Sequence, residues 1–212
     1  MIEAVLFDLD GVLVDACEWH YEALNASLIS FGYPAISRED HEKTFNGLPT
    51  KIKLKMLGIS SDIADQINNQ KQKHTLDIIN NSATIMQEKI DLYCYLKSKN
   101  IKIGCVTNSI RETATAMLKS TGQFDYMDIL TTNEDVAKNK PYPDCYNFAI
   151  KTLGVDGKNV LCVEDSDKGI ESVLASLAGH LYVVNDTSEV NIHTISKEIE
   201  VIENENINTN GW

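Results

Sequence analysis

Four short clusters in this chain carry side chains that could do chemistry together. Asp8 and Asp10 flank Leu9 and run into Gly11. Thr107-Asn108-Ser109 joins a hydroxyl to turn amides. Lys140 opens the stretch Lys140-Pro141-Tyr142-Pro143-Asp144, and Glu164-Asp165 pairs two more carboxylates. Two carboxylates two apart on extended backbone point the same way and repel, so a cation must sit beside them, most simply a divalent metal. Four carboxylates, a hydroxyl and a lysine facing one point are an inventory for phosphoryl transfer. That reaction needs a nucleophile, neutralisation of spreading charge, and positioning. A carboxylate can attack phosphorus to give an aspartyl-phosphate. Mg²⁺ takes hard oxygen ligands from one or two carboxylates, water and the substrate phosphate. Taken singly, each cluster also has an ordinary reading. Asp-x-Asp-Gly can be a strand ending in a turn, and Thr107 a β-branched strand end. Lys140 can be a solvated loop lysine, and Glu164-Asp165, with Ser166, the cap of a helix.

The elements that must position these residues alternate. Ala4 to Phe7 is a continuous apolar run ending in Asp and Gly, which reads as a buried strand of a parallel sheet. Further strands are expected at 101–107, 127–131, 160–163 and 180–184, with a possible edge strand at Ile199 to Ile202. Helices are expected between them: Met86 to Lys99, Arg111 to Thr121, Asp144 to Leu153 and Lys168 to Leu177. Strands alternating with helices give an α/β fold with a doubly wound parallel sheet, whose strand ends share one crevice. Residues 17–82 contain no convincing strand. Glu18 to Ile29, a capped start at Ser37-Arg38-Glu39-Asp40, Lys51 to Leu57 and Asp62 to Ile79 all read as helical. The expected division is a core of residues 1–16 plus 84–203, a small helical domain at 17–83, and a disordered tail at 204–212, which is Asn- and Glu-rich.

At 212 residues the chain can hold one sizeable core plus a small insert. Its formal charge of −12, from 31 acidic and 19 basic residues, argues against a nucleic-acid or anionic-membrane surface. It does not exclude small anionic substrates, because a metal and a few cations can invert the field inside a cleft. Five cysteines without a C-x-x-C pair suit a reducing compartment, with Cys105 and Cys162 as small buried hydrophobes. No apolar run approaches a membrane span, and a cytoplasmic monomer or weak homodimer is expected.

The clusters together resemble the four motifs of the haloacid dehalogenase-like superfamily. They are Asp8-Leu9-Asp10-Gly11-Val12-Leu13-Val14-Asp15, Thr107-Asn108-Ser109, Lys140-Pro141-x-Pro143-Asp144 and Val163-Glu164-Asp165-Ser166, with Gly169-Ile170 following. The order matches, and the similarity spans about residues 2 to 184. The resemblance implies a Rossmann-like core and roles position by position. Asp8 would be the nucleophile and a Mg²⁺ ligand. Asp10 would be the general acid and then the base, with its backbone carbonyl on the metal. Thr107 and the amide of Asn108 would bind phosphoryl oxygens beside Gly11, and Lys140 would pair with Asp8 and the phosphoryl group. Asp165 would bind Mg²⁺, and Glu164 would do so directly or through water.

The helical insert looks like the cap of the subgroup that contains phosphoglycolate phosphatases, sugar-phosphate phosphatases and β-phosphoglucomutases. There His20, Gly47 and Lys51 would face substrate, while Lys71 and Lys73 read as a solvated helix face. Two departures stand out. Thr50 occupies a position where mutase-like members tend to have Arg, and Ala83-Thr84-Ile85-Met86 replaces the usual Pro-Gly. The expected activity is Mg²⁺-dependent hydrolysis of a small phosphorylated metabolite. The alternatives are a β-phosphoglucomutase-like isomerase and a phospho-accepting signalling module.

Overall fold

The computed structural model describes residues 1–45 and 48–209, the side chains of Glu42 and of residues 206–209 apart. The chain divides into two compact units, Met1–Asp15 with Thr84–Trp212, and Ala16–Ala83.

The larger unit is built on five parallel strands: β1 (Ala4–Phe7), β2 (Lys102–Val106), β3 (Ile129–Thr131), β4 (Val160–Glu164) and β5 (His180–Val183). Their order across the sheet is β3-β2-β1-β4-β5. β1 therefore lies centrally, its Phe7 in register with Cys105 of β2 and with Val163 of β4. Every residue of β1 is fully buried, which explains why it reads as an unbroken apolar run rather than an alternating one. The chain winds outward from β1 in one direction through β2 and β3, then returns to the other side for β4 and β5. Such a reversal opens a crevice at the carboxyl ends of the central strands, and Asp8 and Glu164 sit at those ends.

The smaller unit holds four of the helices: α1 (Cys17–Ser30), α2 (Arg38–Asp40), α3 (Thr50–Met56) and α4 (Ser61–Ser82). Ser37 caps α2 as its spacing predicts, its hydroxyl accepting from the Asp40 amide at 3.0 Å. A π-helical turn, His41–Phe45, follows directly. Leu24, Leu28, Ile36, Phe45, Leu54, Ile59 and Ile67 form this unit's core. Asn25 ties the Ile36 backbone into it, donating to the carbonyl at 3.0 Å and accepting from the amide at 2.8 Å.

Helices α5 (Gln87–Ser98), α6 (Arg111–Ser120), α7 (Asp144–Leu153), α8 (Asp167–Leu174) and α9 (Ile192–Thr209) complete the sheet-bearing unit. α7 begins after Pro143 and stops at Gly154, whose φ of 66° is the left-handed closure expected of glycine. α8 ends three residues earlier than its composition suggests. The expected edge strand at Ile199–Ile202 is a correction: those residues lie in α9, which continues through Thr209 into the segment expected to be unstructured. Ile195, Ile199 and Ile202 are buried on one face of α9, and their spacing of four and three is helical. None of the helices among the described residues is long and apolar enough to cross a membrane. All five cysteines are free thiols, with Cys105, Cys145 and Cys162 buried.

Candidate active site

Asp8 follows β1 directly and is almost wholly buried. A buried carboxylate needs a partner, and Lys140 supplies it. The Lys140 ammonium is itself buried and donates three hydrogen bonds: to Asp8 Oδ1 at 2.5 Å, to Glu164 Oε1 at 2.6 Å and to the Val106 carbonyl at 2.7 Å. An ammonium has three N–H groups, so each is used. Burial works against the charge on Lys140, but Asp8 and Glu164 outweigh it and hold the ammonium well above its ordinary pKa. Burial pushes the Asp8 carboxyl well above its ordinary range; Lys140 opposes this, while Glu164 and Asp10 add to it. Lys140 is therefore no solvated loop residue.

Its loop is fixed by Asn108, whose side chain accepts from the Lys140 amide at 3.0 Å and donates to the Lys140 carbonyl at 3.2 Å. The Asn108 side chain is thus committed to positioning Lys140, which leaves its backbone amide as the group the sequence assigned to phosphoryl binding. Thr107 is buried, and its hydroxyl accepts from the Ser109 amide at 3.0 Å. Ser109 then donates to Asp10 Oδ2 at 3.0 Å, a contact that sequence reasoning missed.

The fourth cluster resolves its own ambiguity. Ser166, not Asp165, caps α8, accepting from the Gly169 amide at 3.2 Å. Asp165 is thereby released from a capping role, and its Oδ1 is buried with no hydrogen-bond partner among the described residues. Burial and the neighbouring Glu164 push its carboxyl up to about 6. Asp8, Glu164 and Asp165 each offer an oxygen, and the three lie within 4.8 Å of one another. Two glycines make this crowding sterically possible. Gly11, with φ of 91°, sits where a Cβ would fall on the Asp165 carboxylate, and a Cβ at Gly169 would fall on that of Glu164. The Gly11 amide donates to the Val14 carbonyl at 2.8 Å.

Three hard oxygen donors, with an unpartnered buried oxygen on Asp165, fit a divalent cation of the Mg²⁺ kind.

Tyr146 is a further member that sequence reasoning missed. On α7, and fully buried, its hydroxyl donates to Glu164 Oε1 at 2.6 Å. As an aromatic residue at helical spacing it gives only a core signal, so nothing in the sequence marks it.

The remaining sequence candidates lie in the helical unit. Gly47 falls outside the described residues. Lys51 is exposed and pairs with Asp65 at 2.8 Å. The buried lysine of α3 is Lys53 instead, and its burial lowers its pKa. Lys71 is a correction to the solvated-face expectation: it is buried, with its ammonium 2.9 Å from His20 Nδ1. Because an ammonium only donates, His20 Nδ1 is the acceptor in this contact when Lys71 carries its charge. Lys73 is exposed, as expected.

Comparison with known proteins agrees with the fold. The chain matches the haloacid dehalogenase-like hydrolase family model over residues 5–179. It is 27% identical over 189 residues to the phosphorylated carbohydrates phosphatase of Thermotoga maritima, covering 86% of this chain and 85% of that one. It is 24% identical to the β-phosphoglucomutase of Bacillus subtilis, with 94% and 96% covered. The solved structure of a β-phosphoglucomutase from Clostridium difficile superposes with a TM-score of 0.77 at 25% identity, covering 98% of this chain and 99% of that one. With the motifs at the strand ends, the sheet order and a family match that spans most of its length, the chain belongs to the haloacid dehalogenase-like hydrolases and is an enzyme of that family.

Proposed function

We propose that this enzyme is a Mg²⁺-dependent phosphatase that hydrolyses a small phosphorylated metabolite, of the sugar-phosphate or phosphoglycolate type, through a phosphoryl group carried on Asp8. The observation that carries this reading is the buried Asp8–Lys140–Glu164 network, with Asp10, two residues after the nucleophile, hydrogen-bonded by Ser109. In the first half-reaction an Asp8 carboxylate oxygen bonds to phosphorus as the bond to the leaving oxygen breaks. Asp10 gives its proton to that oxygen, releasing the alcohol. In the second, Asp10, now a carboxylate, takes a proton from water as the water oxygen attacks phosphorus. Inorganic phosphate leaves and Asp8 is regenerated. Thr107 and the Asn108 amide donate to the phosphoryl oxygens in both halves. Asp8, Glu164, Asp165 and the Asp10 carbonyl would hold Mg²⁺, which supplies neutralisation of charge on the phosphoryl oxygens. The free thiols, two of them exposed, favour a cytoplasmic setting.

A panel of phosphorylated metabolites with Mg²⁺ tests the reading. The expected result is release of inorganic phosphate, abolished by a chelator. Isomerisation of hexose phosphates without release would favour the mutase reading, which the β-phosphoglucomutase relatives keep in play. Stoichiometric phosphorylation without turnover would favour the signalling module.

The acidic cluster also predicts how metal and pH act on stability. Asp165 has a folded pKa of about 6, above its unfolded value of roughly 4. The metal-free fold therefore binds more protons than the unfolded chain across that window, and loses stability as pH rises through it. Mg²⁺ replaces the lost proton. At a hundredfold excess over its Kd it contributes about 2.7 kcal/mol, which for a chain of this size raises Tm by roughly 5–10 °C. Calorimetry is expected to show that rise at pH 7.5 and less than about a third of it at pH 5, where protons compete for the ligands. Equal shifts at both values would rule the cluster out as the binding site.

A further inference from the structure

We infer that Tyr146 is a positioning residue for the acidic centre: its hydroxyl keeps Glu164 Oε1 satisfied, which fixes that carboxylate for a divalent cation and lets Lys140 leave it for a phosphoryl oxygen.

The hydroxyl is not required by packing. Tyr146 lies in the core cluster of β1, β4 and α7 with Leu6, Ala149, Ile150 and Cys162. Phenylalanine would fill the same space without placing a phenol oxygen in an apolar interior, where it costs free energy unless bonded. The bond it makes is to a charged acceptor, at 2.6 Å, which is the strong kind. Burial and the Glu164 charge hold the phenol well above its ordinary pKa, so it stays a donor. The Lys140 ammonium also lies 4.9 Å from the centre of its ring.

Counting donors then assigns the role. Lys140 spends its N–H groups on Asp8 Oδ1, Glu164 Oε1 and Val106 O. A phosphoryl oxygen gains a bond from Lys140 only when one of these is given up. Among the described residues, Glu164 Oε1 is the one of the three acceptors with a second side-chain donor, the Tyr146 hydroxyl. Releasing it leaves a satisfied oxygen behind, so it is the release that costs least. The other oxygen, Oε2, accepts only at 3.2 Å from the Asp165 amide and 3.4 Å from Ser166 Oγ. Capacity on that oxygen remains for a cation, while Tyr146 stops the carboxylate from turning.

The phosphoryl half of this inference rests on the proposed phosphatase activity; the cation half does not. Tyr146→Phe, alone and combined with Glu164→Gln, separates them. Mg²⁺ is titrated calorimetrically into each protein without substrate, and kcat and KM are measured with p-nitrophenyl phosphate. Tyr146→Phe is expected to weaken Mg²⁺ binding about tenfold, as loss of a hydrogen bond to a metal ligand typically does. At saturating Mg²⁺ it is expected to lower kcat about tenfold with KM within roughly threefold, the pattern of an interaction made in the transition state. In the Glu164→Gln background the same change is expected to alter Mg²⁺ affinity by less than about twofold, because its effect passes through Glu164. Unchanged Mg²⁺ affinity in Tyr146→Phe, or an equal loss in both backgrounds, would overturn the inference. So would a Tyr146→Phe chain that no longer melts cooperatively, since the hydroxyl would then be structural. A wild-type chain that releases no phosphate, yet shows the Glu164-dependent loss of Mg²⁺ affinity, would sink the phosphatase reading and leave the cation half standing.

Discussion

Lys140→Met is expected to destabilise the metal-free protein by about 3–5 kcal/mol, the range for removing one partner of a buried ion pair. The ammonium is the shared donor to two carboxylates, and its side chain and theirs are nearly or wholly buried. Methionine fills the space of the stem but leaves Asp8 and Glu164 facing each other without a cation. Glu164 keeps the Tyr146 hydroxyl, while Asp8 loses the bond from Lys140. For a chain of this size the loss corresponds to a fall in Tm of about 10 °C by calorimetry at neutral pH. Mg²⁺ is expected to recover part of it, because a divalent cation between the same carboxylates compensates the same charge. Lys140→Arg should not rescue: the planar fork of guanidinium cannot reproduce three donors radiating from one atom. A solvated loop lysine would give a change within about 0.5 kcal/mol. A Tm loss under about 2 °C would therefore contradict the buried network.

What the sequence disclosed, and what it withheld, follows from this architecture. Asp8, Thr107 and Glu164 were legible because each ends an apolar run, and in a parallel sheet the ends of such runs converge. Lys140 was legible only by its company, since a lysine before proline says nothing of burial. Tyr146 was not legible at all: in α7 it continues an amphipathic stripe, and only the fold brings that stripe against the end of β4. Ser109 stood within the second cluster, but its bond to Asp10 was not legible, as the two residues are distant in the chain. In α3 the pattern could not tell Lys51 from Lys53, because two lysines two apart on a helix face different ways and the buried face depends on packing. The error at Ile199–Ile202 came from reading too short a window. Four residues with two isoleucines suit a strand, but extending back to Ile195 shows the helical spacing.

Asp8→Asn is expected to abolish turnover, lowering kcat by at least about 10⁴-fold, because an amide oxygen neither attacks phosphorus nor returns as a leaving carboxylate. Stability should move the other way. The substitution removes a negative charge whose burial is unfavourable, while Lys140 keeps its bonds to Glu164 and Val106. A folded, metal-free variant at least as stable as the parent is the expected result, so lost activity cannot be ascribed to lost structure. Asp10→Asn gives the contrasting result that divides the labour between the two carboxylates. Its nucleophile is intact, and a substrate such as p-nitrophenyl phosphate has a leaving oxygen that needs no proton. The first half-reaction should proceed while water attack slows by about 10²–10⁴-fold, the usual worth of a general base. Phosphorylated protein should then accumulate in Asp10→Asn and never form in Asp8→Asn, read as the mass of one added phosphoryl group and located on Asp8 after digestion. Residual turnover in Asp8→Asn, or a phosphoryl group on any other residue, would place the nucleophile elsewhere.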